Sequence, residues 1–177
     1  MIGVLVSGEG TNLQALIDAQ LPIAAVVSNK PGVRALGRAE AAGIETAVFD
    51  AAGYNSREER DVALAEWLES RGVELVVCAG YMHLLTPAFL DRFPGRIVNV
   101  HPSLLPEFPG TRAIEDALAA GVERTGVTVH LVDEGVDSGP VLAQEEVPVE
   151  PAETLEERLH ALEHRLLPRV VRELCER

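Results

Sequence analysis

Lysine, cysteine and long hydrophobic runs are scarce or absent in this sequence of 177 residues. Lys30 is the only lysine among the 15 basic residues, and 28 acidic residues bring the net charge to −13. Such a surface disfavours general binding to nucleic acid or to an anionic membrane. No apolar run approaches the roughly 18 residues that a membrane-spanning helix needs. The sequence therefore predicts neither a nucleic acid nor a membrane as partner, and any anionic substrate needs a local positive site.

The number and spacing of the cysteines argue against a metal site or a disulfide framework. Cys78 and Cys175 have neither the CxxC spacing nor the mixed Cys/His spacing of a metal site, and two residues cannot form a disulfide framework. The chain opens directly into an apolar strand pattern, without the basic and then longer apolar segments of a secretory signal. We therefore expect no metal and a reducing, cytoplasmic location.

Strand and helix patterns alternate through the first two thirds of the chain. The predicted strands cover residues 2–7, 23–28, 45–49, 74–78 and 96–100. The predicted helices cover residues 11–19, 33–42, 56–71 and 87–91, the third opened by a capping box of Ser56 and Glu59. Such alternation indicates right-handed βαβ units on a mostly parallel sheet with helices on both faces. The length suits one domain over residues 1–177 with a three-layer, Rossmann-like α/β fold.

The last third has a different pattern. After a helix at 114–120, longer strands at 126–132 and 141–149 are joined by a short polar segment, residues 133–140. A short connection between adjacent strands predicts an antiparallel addition to the sheet. Thr154 and Glu157 have the spacing of a capping box, which predicts a final helix to about residue 174. The apolar stripe of that helix comprises Leu155, Leu159, Leu162, Leu166 and Val170.

A glycine-containing loop follows the first strand, with the sequence Ser7-Gly8-Glu9-Gly10-Thr11-Asn12. Two glycines allow close approach of a ligand, and the next helix begins with free N–H groups and a favourable dipole. The third glycine of a dinucleotide fingerprint is replaced by Leu13, and no Gly-Lys-Ser/Thr follows for a triphosphate. Thr11 and Gln14 have capping-box spacing. The loop therefore predicts a site for one terminal phosphate.

Asn99 and His101 lie at the carboxyl end of the fifth predicted strand. Because side chains on a strand have period 2, both point the same way at the carboxyl end of the sheet, where open α/β folds bind ligands. Asp137 lies in another loop at that predicted edge. An amide can donate to a developing oxyanion, an imidazole can transfer a proton, and a carboxylate can orient that imidazole. This set suits direct acyl transfer between two amines without a nucleophilic side chain.

Several motifs along nearly the whole chain resemble those of the phosphoribosylglycinamide formyltransferases, folate-dependent enzymes of purine biosynthesis. They are Ser7-Gly8-x-Gly10-Thr11-Asn12-Leu13-Gln14, Ala79-Gly80-Tyr81-Met82, Asn99-Val100-His101-Pro102-Ser103-Leu104-Leu105-Pro106, Phe108-Pro109-Gly110, Thr128-Val129-His130 and Asp133-Glu134-x-x-Asp137-x-Gly139-Pro140. The resemblance implies a formyltransferase fold. It also implies transfer of a formyl group from 10-formyltetrahydrofolate to the amino group of glycinamide ribonucleotide, through a tetrahedral intermediate.

The resemblance also implies roles for individual residues. Asn99, His101 and Asp137 match catalytic positions. Positions that match contacts to the ribonucleotide are Gly10, Thr11, Asn12 and Glu163. Positions that match the folate site are Arg57, Met82, His83, Leu84, Leu85, Asn99, His130, Val132, Asp133, Glu134 and Val136. The expected partners are these two small molecules, and the expected assembly is a monomer or a homodimer.

Other interpretations compete with this one. A 10-formyltetrahydrofolate hydrolase is expected to carry a regulatory domain before the first strand, and a methionyl-tRNA formyltransferase a further domain and a basic surface. A non-catalytic, Rossmann-like nucleotide-binding module would not require Asn99, His101 and Asp137 to converge. Taken alone, Glu163 would be an exposed helix residue and His130 a buried, hydrogen-bonded histidine. Asp133 and Glu134 would be turn residues.

Overall fold

The computed structural model describes all 177 residues and contains seven strands and six α-helices. The strands are β1 (Ile2–Val6), β2 (Ile23–Ser28), β3 (Glu45–Val48), β4 (Leu75–Cys78), β5 (Ile97–His101), β6 (Arg124–Leu131) and β7 (Val141–Pro148). The helices are α1 (Thr11–Asp18), α2 (Arg34–Ala41), α3 (Arg57–Ser70), α4 (Pro87–Leu90), α5 (Ala113–Ala120) and α6 (Leu155–Cys175). The strands form a seven-stranded sheet in the order β3-β2-β1-β4-β5-β6-β7. The mostly parallel α/β fold predicted from the sequence is confirmed.

The chain divides into two compact units, Met1–Val98 and Asn99–Arg177. A single domain over the whole chain stays a prediction. None of the helices is both long enough and apolar enough to cross a membrane.

The first unit contains four parallel strands. β1 pairs with β2 and with β4, and β2 pairs with β3, all in parallel. Every residue of β1 and of β4 is buried, which explains why these strands are continuous apolar runs rather than alternating ones. The chain reverses between strands through α1, α2 and α3, as the βαβ pattern predicts. This arrangement leaves the loops after β1, β2 and β4 at the carboxyl ends of parallel strands.

The second unit ends in an antiparallel pair. β6 pairs with β7 in the register Arg124↔Pro148 to His130↔Val141, which confirms the predicted antiparallel addition. β6 is almost fully buried, whereas β7, the last strand of the sheet, alternates between exposed and partly buried residues. Helix α6 packs on both strands, and its predicted apolar stripe is buried. On β7, Glu145 lies 3.0 Å from Arg165 and Glu146 lies 2.7 Å from Arg124.

The helix starts differ from the sequence predictions in two of three cases. The Ser56 cap is confirmed, because the Ser56 hydroxyl accepts a hydrogen bond from the Glu59 N–H at 3.0 Å. The capping role expected for Thr11 is wrong, since the N-cap of α1 is Gly10, in a left-handed conformation. The Thr154 capping box is also wrong, because the Thr154 hydroxyl donates to the Pro151 carbonyl instead. The Thr154 hydroxyl therefore has a local alternative partner that the spacing alone does not show.

Two strand limits also lie outside the predicted bounds. β5 continues to His101, one residue beyond the predicted end, and β6 begins at Arg124, two residues before the predicted start. Arg124 is exposed but is held in the ladder by pairing with Pro148. Strand limits depend on such pairing, which the hydrophobic pattern of one strand does not contain.

Candidate active site

Four polar side chains of the second unit meet near the end of β5, and we call them the Asn99 cluster: Asn99, His101, His130 and Asp137. Asn99 and His101 both lie on β5, and His101 is only 5% exposed. His130 is near the end of β6 and is 2% exposed. Asp137 is in the segment between β6 and β7 and has a left-handed backbone conformation, with φ of 53°. The three residues predicted to be catalytic therefore come together.

The Asp137 carboxylate is the centre of the cluster. Its Oδ1 atom lies 3.5 Å from Asn99 Nδ2 and 3.5 Å from His130 Nε2. Its Oδ2 atom lies 3.4 Å from His101 Nδ1 and accepts a hydrogen bond from the Gly110 N–H at 2.8 Å. Three of these four distances exceed those of strong charged hydrogen bonds, about 2.7–2.9 Å. Catalytic hydrogen bonds are often long without substrate and shorten in the reacting complex.

The two histidines are oriented by backbone carbonyl groups. His130 Nδ1 lies 2.9 Å from the Leu131 carbonyl oxygen, which makes Nδ1 the protonated nitrogen. Nε2 of a neutral His130 then accepts from Asn99 Nδ2, 3.3 Å away. His101 Nε2 lies 2.8 Å from the Phe108 carbonyl oxygen, so its Nδ1 atom faces Asp137. The interpretation of His130 as a buried, hydrogen-bonded histidine is confirmed.

The contacts of Phe108 and Gly110 with the cluster were not foreseen from the sequence. The Phe108 carbonyl holds His101, and the Gly110 N–H holds Asp137. Phe108 and Gly110 both have positive φ, 50° and 93°. The Pro109-Gly110 pair signals a turn here, but it does not show that the turn supplies main-chain groups to two functional side chains.

The pKa of Asp137 is lowered from its ordinary value. Burial acts to raise it, but the contact with His130, the hydrogen bond from the Gly110 N–H and the electrostatic attraction of His101 together outweigh that effect. The carboxylate is therefore ionised at neutral pH. It can stabilise a protonated imidazole or accept a proton from a reacting group.

The cysteines offer no nucleophile to this cluster. Burial raises the pKa of the Cys78 thiol to about 12, so the thiolate form is negligible at neutral pH. Cys175 is exposed near the end of α6. No group of three or more His, Cys, Asp or Glu side chains has a metal-binding arrangement. The chemistry that the cluster supports is stabilisation of an oxyanion combined with proton transfer.

The predicted phosphate loop, residues 8–12, is shaped by its contacts with α2. The Ala35 N–H donates to the Gly8 carbonyl at 3.0 Å, and Arg38 Nε donates to the Glu9 carbonyl at 2.8 Å. Gly10 has φ of 77°, and a Cβ atom there would lie 2.6 Å from the Cβ of Ala35. The first turn of α1, which includes Thr11 and Asn12, contains no acidic residue. The loop therefore presents the positive end of a helix in an otherwise acidic protein.

A second loop of the first unit, residues 79–86, contains four of the residues predicted to bind folate. Met82 and Leu84 are 61% and 52% exposed, whereas Leu85 is buried. His83 is partly buried, and burial together with the Arg60 charge lowers its pKa, so this imidazole is neutral at pH 7. Arg57 begins α3 and is exposed.

The remaining predicted residues lie in the second unit. Asp133 Oδ1 accepts from the Gly135 N–H at 2.9 Å and from the Ser138 hydroxyl at 2.8 Å, which supports a turn role. Glu134 and Val136 are exposed, and Val132 is partly buried. The alternative of an exposed Glu163 is wrong, because this α6 residue is only 6% exposed.

Comparisons with known proteins find similar sequences and structures. The model of the family described as formyl transferase matches residues 1–171. The phosphoribosylglycinamide formyltransferase of Haemophilus influenzae is 43% identical over 97% of this chain and 85% of its own length. The crystal structure of glycinamide ribonucleotide transformylase 1 from Symbiobacterium toebii superposes with a TM-score of 0.95 at 47% identity, covering 99% of this chain and 87% of that one.

Longer relatives match as well. The trifunctional purine biosynthetic protein adenosine-3 of Gallus gallus is 48% identical over 94% of this chain. The chain spans only 13 to 18% of the length of such trifunctional relatives. The match therefore covers one part of each of these longer proteins.

Proposed function

This chain belongs to the formyl transferase family, and from that premise we propose that it transfers a formyl group from 10-formyltetrahydrofolate to the amino group of glycinamide ribonucleotide. The product is N-formylglycinamide ribonucleotide, made at a step of purine biosynthesis in the cytoplasm. The observation that carries the proposal is the Asn99 cluster, in which an amide, two imidazoles and a lowered-pKa carboxylate converge.

The reaction proceeds by direct attack of the substrate amine on the formyl carbon. A tetrahedral intermediate forms, with negative charge on the former carbonyl oxygen. Asn99 Nδ2 and His101 donate hydrogen bonds to this oxygen, His101 through Nδ1 because its Nε2 is held by the Phe108 carbonyl. Electrostatic stabilisation of this type is usually the largest contribution to lowering such barriers. The C–N bond to the folate then breaks, and the proton released by the attacking amine passes to the departing folate nitrogen.

Asp137 takes up the proton that the attacking amine loses. Its carboxylate is ionised at neutral pH and faces His101 Nδ1 at 3.4 Å. It accepts the amine proton through a bridging water and supports the charge on His101. His130 has its Nδ1–H committed to the Leu131 carbonyl, and its Nε2 accepts from Asn99 and orients that amide.

The other predicted residues supply binding. The N–H groups at Gly10, Thr11 and Asn12 hold the phosphate of the ribonucleotide, and Glu163 contacts its ribose. Met82, His83, Leu84 and Leu85 hold the folate ring system, and Arg57 faces the acidic tail. The residues of the second unit proposed to contact folate are Asn99, His130, Val132, Asp133, Glu134 and Val136.

The test is absorbance-monitored release of the deformylated folate, with and without glycinamide ribonucleotide. Release that requires the ribonucleotide is the expected result. Release without it would assign a hydrolase instead. Binding of both ligands without release would assign a non-catalytic module.

A further inference from the structure

An ion pair is buried completely inside the first unit, between neighbouring residues of α3. Arg60 and Asp61 are both 0% exposed. Asp61 Oδ1 accepts hydrogen bonds from Arg60 Nε at 3.1 Å and from Arg60 Nη2 at 3.0 Å. Arg60 Nη1 is buried without a hydrogen-bond partner. Because burying charges is unfavourable unless they are paired, this pair needs a reason beyond stability.

The other carboxylate oxygen points to a different element. Asp61 Oδ2 accepts from the Thr86 N–H at 2.8 Å and from the Thr86 hydroxyl at 2.8 Å. Thr86 is the N-cap residue of α4, yet its side chain makes no capping hydrogen bond within that helix. Its hydroxyl is committed to Asp61 instead. One carboxylate thus joins α3 to the end of the 79–86 loop.

The same loop has a second fixed point. The Met82 N–H donates to the Ser7 hydroxyl at 2.8 Å, and Ser7 donates to Asn29 Oδ1 at 2.5 Å. Only three residues separate Met82 from Thr86. Met82 and Leu84 nevertheless remain 61% and 52% exposed, so a short segment fixed at both ends presents two large apolar side chains to solvent. Preorganised apolar surface of this kind suits a flat ligand.

We propose that Asp61, with Arg60 as its buried counterion, is a positioning residue that holds the 79–86 loop in the conformation that binds the folate co-substrate. The inference rests on the proposed function, which assigns folate to this loop. Asp61 does not touch the ligand. It acts through Thr86, and its effect is therefore on folate affinity rather than on the chemical step.

Four variants test this role. In Asp61→Asn one carboxylate oxygen becomes an NH₂ group, which cannot accept from the Arg60 guanidinium or from the Thr86 N–H, so the link to Thr86 or the link to Arg60 must break. Arg60→Met combined with Asp61→Asn removes that conflict and leaves the amide oxygen available to Thr86. Thr86→Val keeps the ion pair and the Thr86-position N–H but removes the hydroxyl. Glu66→Gln makes the same chemical change as Asp61→Asn at an exposed position of the same helix.

The measurements are kcat, KM for each substrate, the Kd of a non-reactive 10-formyl dideazafolate analogue, and Tm. Asp61→Asn is expected to raise the folate KM and the analogue Kd about tenfold, which corresponds to about 1.4 kcal/mol. Thr86→Val should raise both about threefold, as expected for one lost hydrogen bond. The double variant should return to within about threefold of the native values. The ribonucleotide KM and kcat should stay within about twofold throughout, and Glu66→Gln should match the native protein.

The outcomes separate a positioning role from a merely structural one. A lower Tm with an unchanged folate KM and analogue Kd would overturn the proposal, as would equal shifts in the two KM values. If Asp61→Asn fails to fold, an unchanged analogue Kd in Thr86→Val overturns it alone. If the native protein binds the analogue but transfers no formyl group, the proposed function fails, while the Kd values still decide the role of Asp61.

Discussion

The 8–12 loop and the Asn99 cluster differ in the groups that form them. The loop depends on main-chain groups, and its conformation is set by Gly10 and by contacts with Ala35 and Arg38. The cluster depends on side chains, with main-chain groups of Phe108 and Gly110 in a supporting role. Substitutions in the loop should therefore alter binding through backbone shape, whereas substitutions in the cluster remove reacting groups outright.

The largest effects are expected from removing side chains of the Asn99 cluster. Asn99→Ala, His101→Ala and Asp137→Ala should each lower kcat by about 10²–10³, since each group acts mainly in the transition state. The KM values should change little. Steady-state kinetics with both substrates measures the split, and Glu156→Gln, at an exposed carboxylate on α6, is the control. Unchanged kcat in any two of the three would refute the catalytic assignment.

A smaller effect, with the opposite kinetic signature, is expected at Gly10. In Gly10→Ala the new Cβ would lie 2.6 Å from Ala35 Cβ at a φ of 77°, so the loop must move. The ribonucleotide KM should rise about tenfold or more with a smaller change in kcat, which corresponds to strain of about 1–3 kcal/mol. Gly8→Ala is the matched comparison, because nothing lies within 4 Å of its Cβ position. A larger KM change in Gly8→Ala than in Gly10→Ala would contradict this account.

The charge of Asp137 should also make the thermal stability of the folded protein depend on pH. Because its pKa is lowered in the folded protein, its stabilising contribution is present above the ordinary pKa of 3.8 and disappears as the pH falls through the lowered value. The difference in Tm between the native protein and Asp137→Asn should therefore be constant near neutral pH and shrink in acid. Thermal denaturation from pH 7 to 3 measures it. A difference that grows in acid would show that the pKa is raised instead.

The smallest effect is expected from Arg38→Ala. The substitution removes the hydrogen bond that Arg38, at the surface, donates to the Glu9 carbonyl. Because such a bond contributes about 0.5–1 kcal/mol, the ribonucleotide KM should rise about twofold to fivefold. The effect should diminish with added salt to the extent that the Arg38 charge attracts the phosphate. Titration of the KM against ionic strength, with Arg172→Ala on the last turn of α6 as control, distinguishes the two contributions.

The same contrast explains what could be predicted from the sequence. The alternation of side chains on a strand predicts that Asn99 and His101 are adjacent, and the convergence of loops at one sheet edge predicts that Asp137 lies near them. The supporting contacts from Phe108 and Gly110 depend on a turn with two positive φ values, which no periodicity encodes. The Ser7–Asn29 bond and the Asp61–Thr86 bonds join residues 22 and 25 positions apart, so the local pattern gives no sign of them.

The helix starts show the same limit. Ser56 caps α3 as its spacing predicts, but Thr11 and Thr154 have the same spacing and do not cap. Gly10 takes the N-cap of α1 because the loop must pass close to Ala35, and that contact belongs to another helix. A tertiary contact thus sets the cap of α1, whereas a local hydrogen bond to the Pro151 carbonyl keeps the Thr154 hydroxyl from capping α6.

The position of β7 at the end of the sheet has a consequence for the behaviour of the protein in concentrated solution. An edge strand can recruit a strand from another copy, and charged side chains along it oppose such addition. Glu145 and Glu146 provide these charges here, and the net charge of −13 adds long-range repulsion between copies. Both protections weaken together as the pH approaches the isoelectric point of about 4.7. Storage and crystallisation should therefore favour neutral pH, and light scattering should show reversible self-association developing as this protein is acidified.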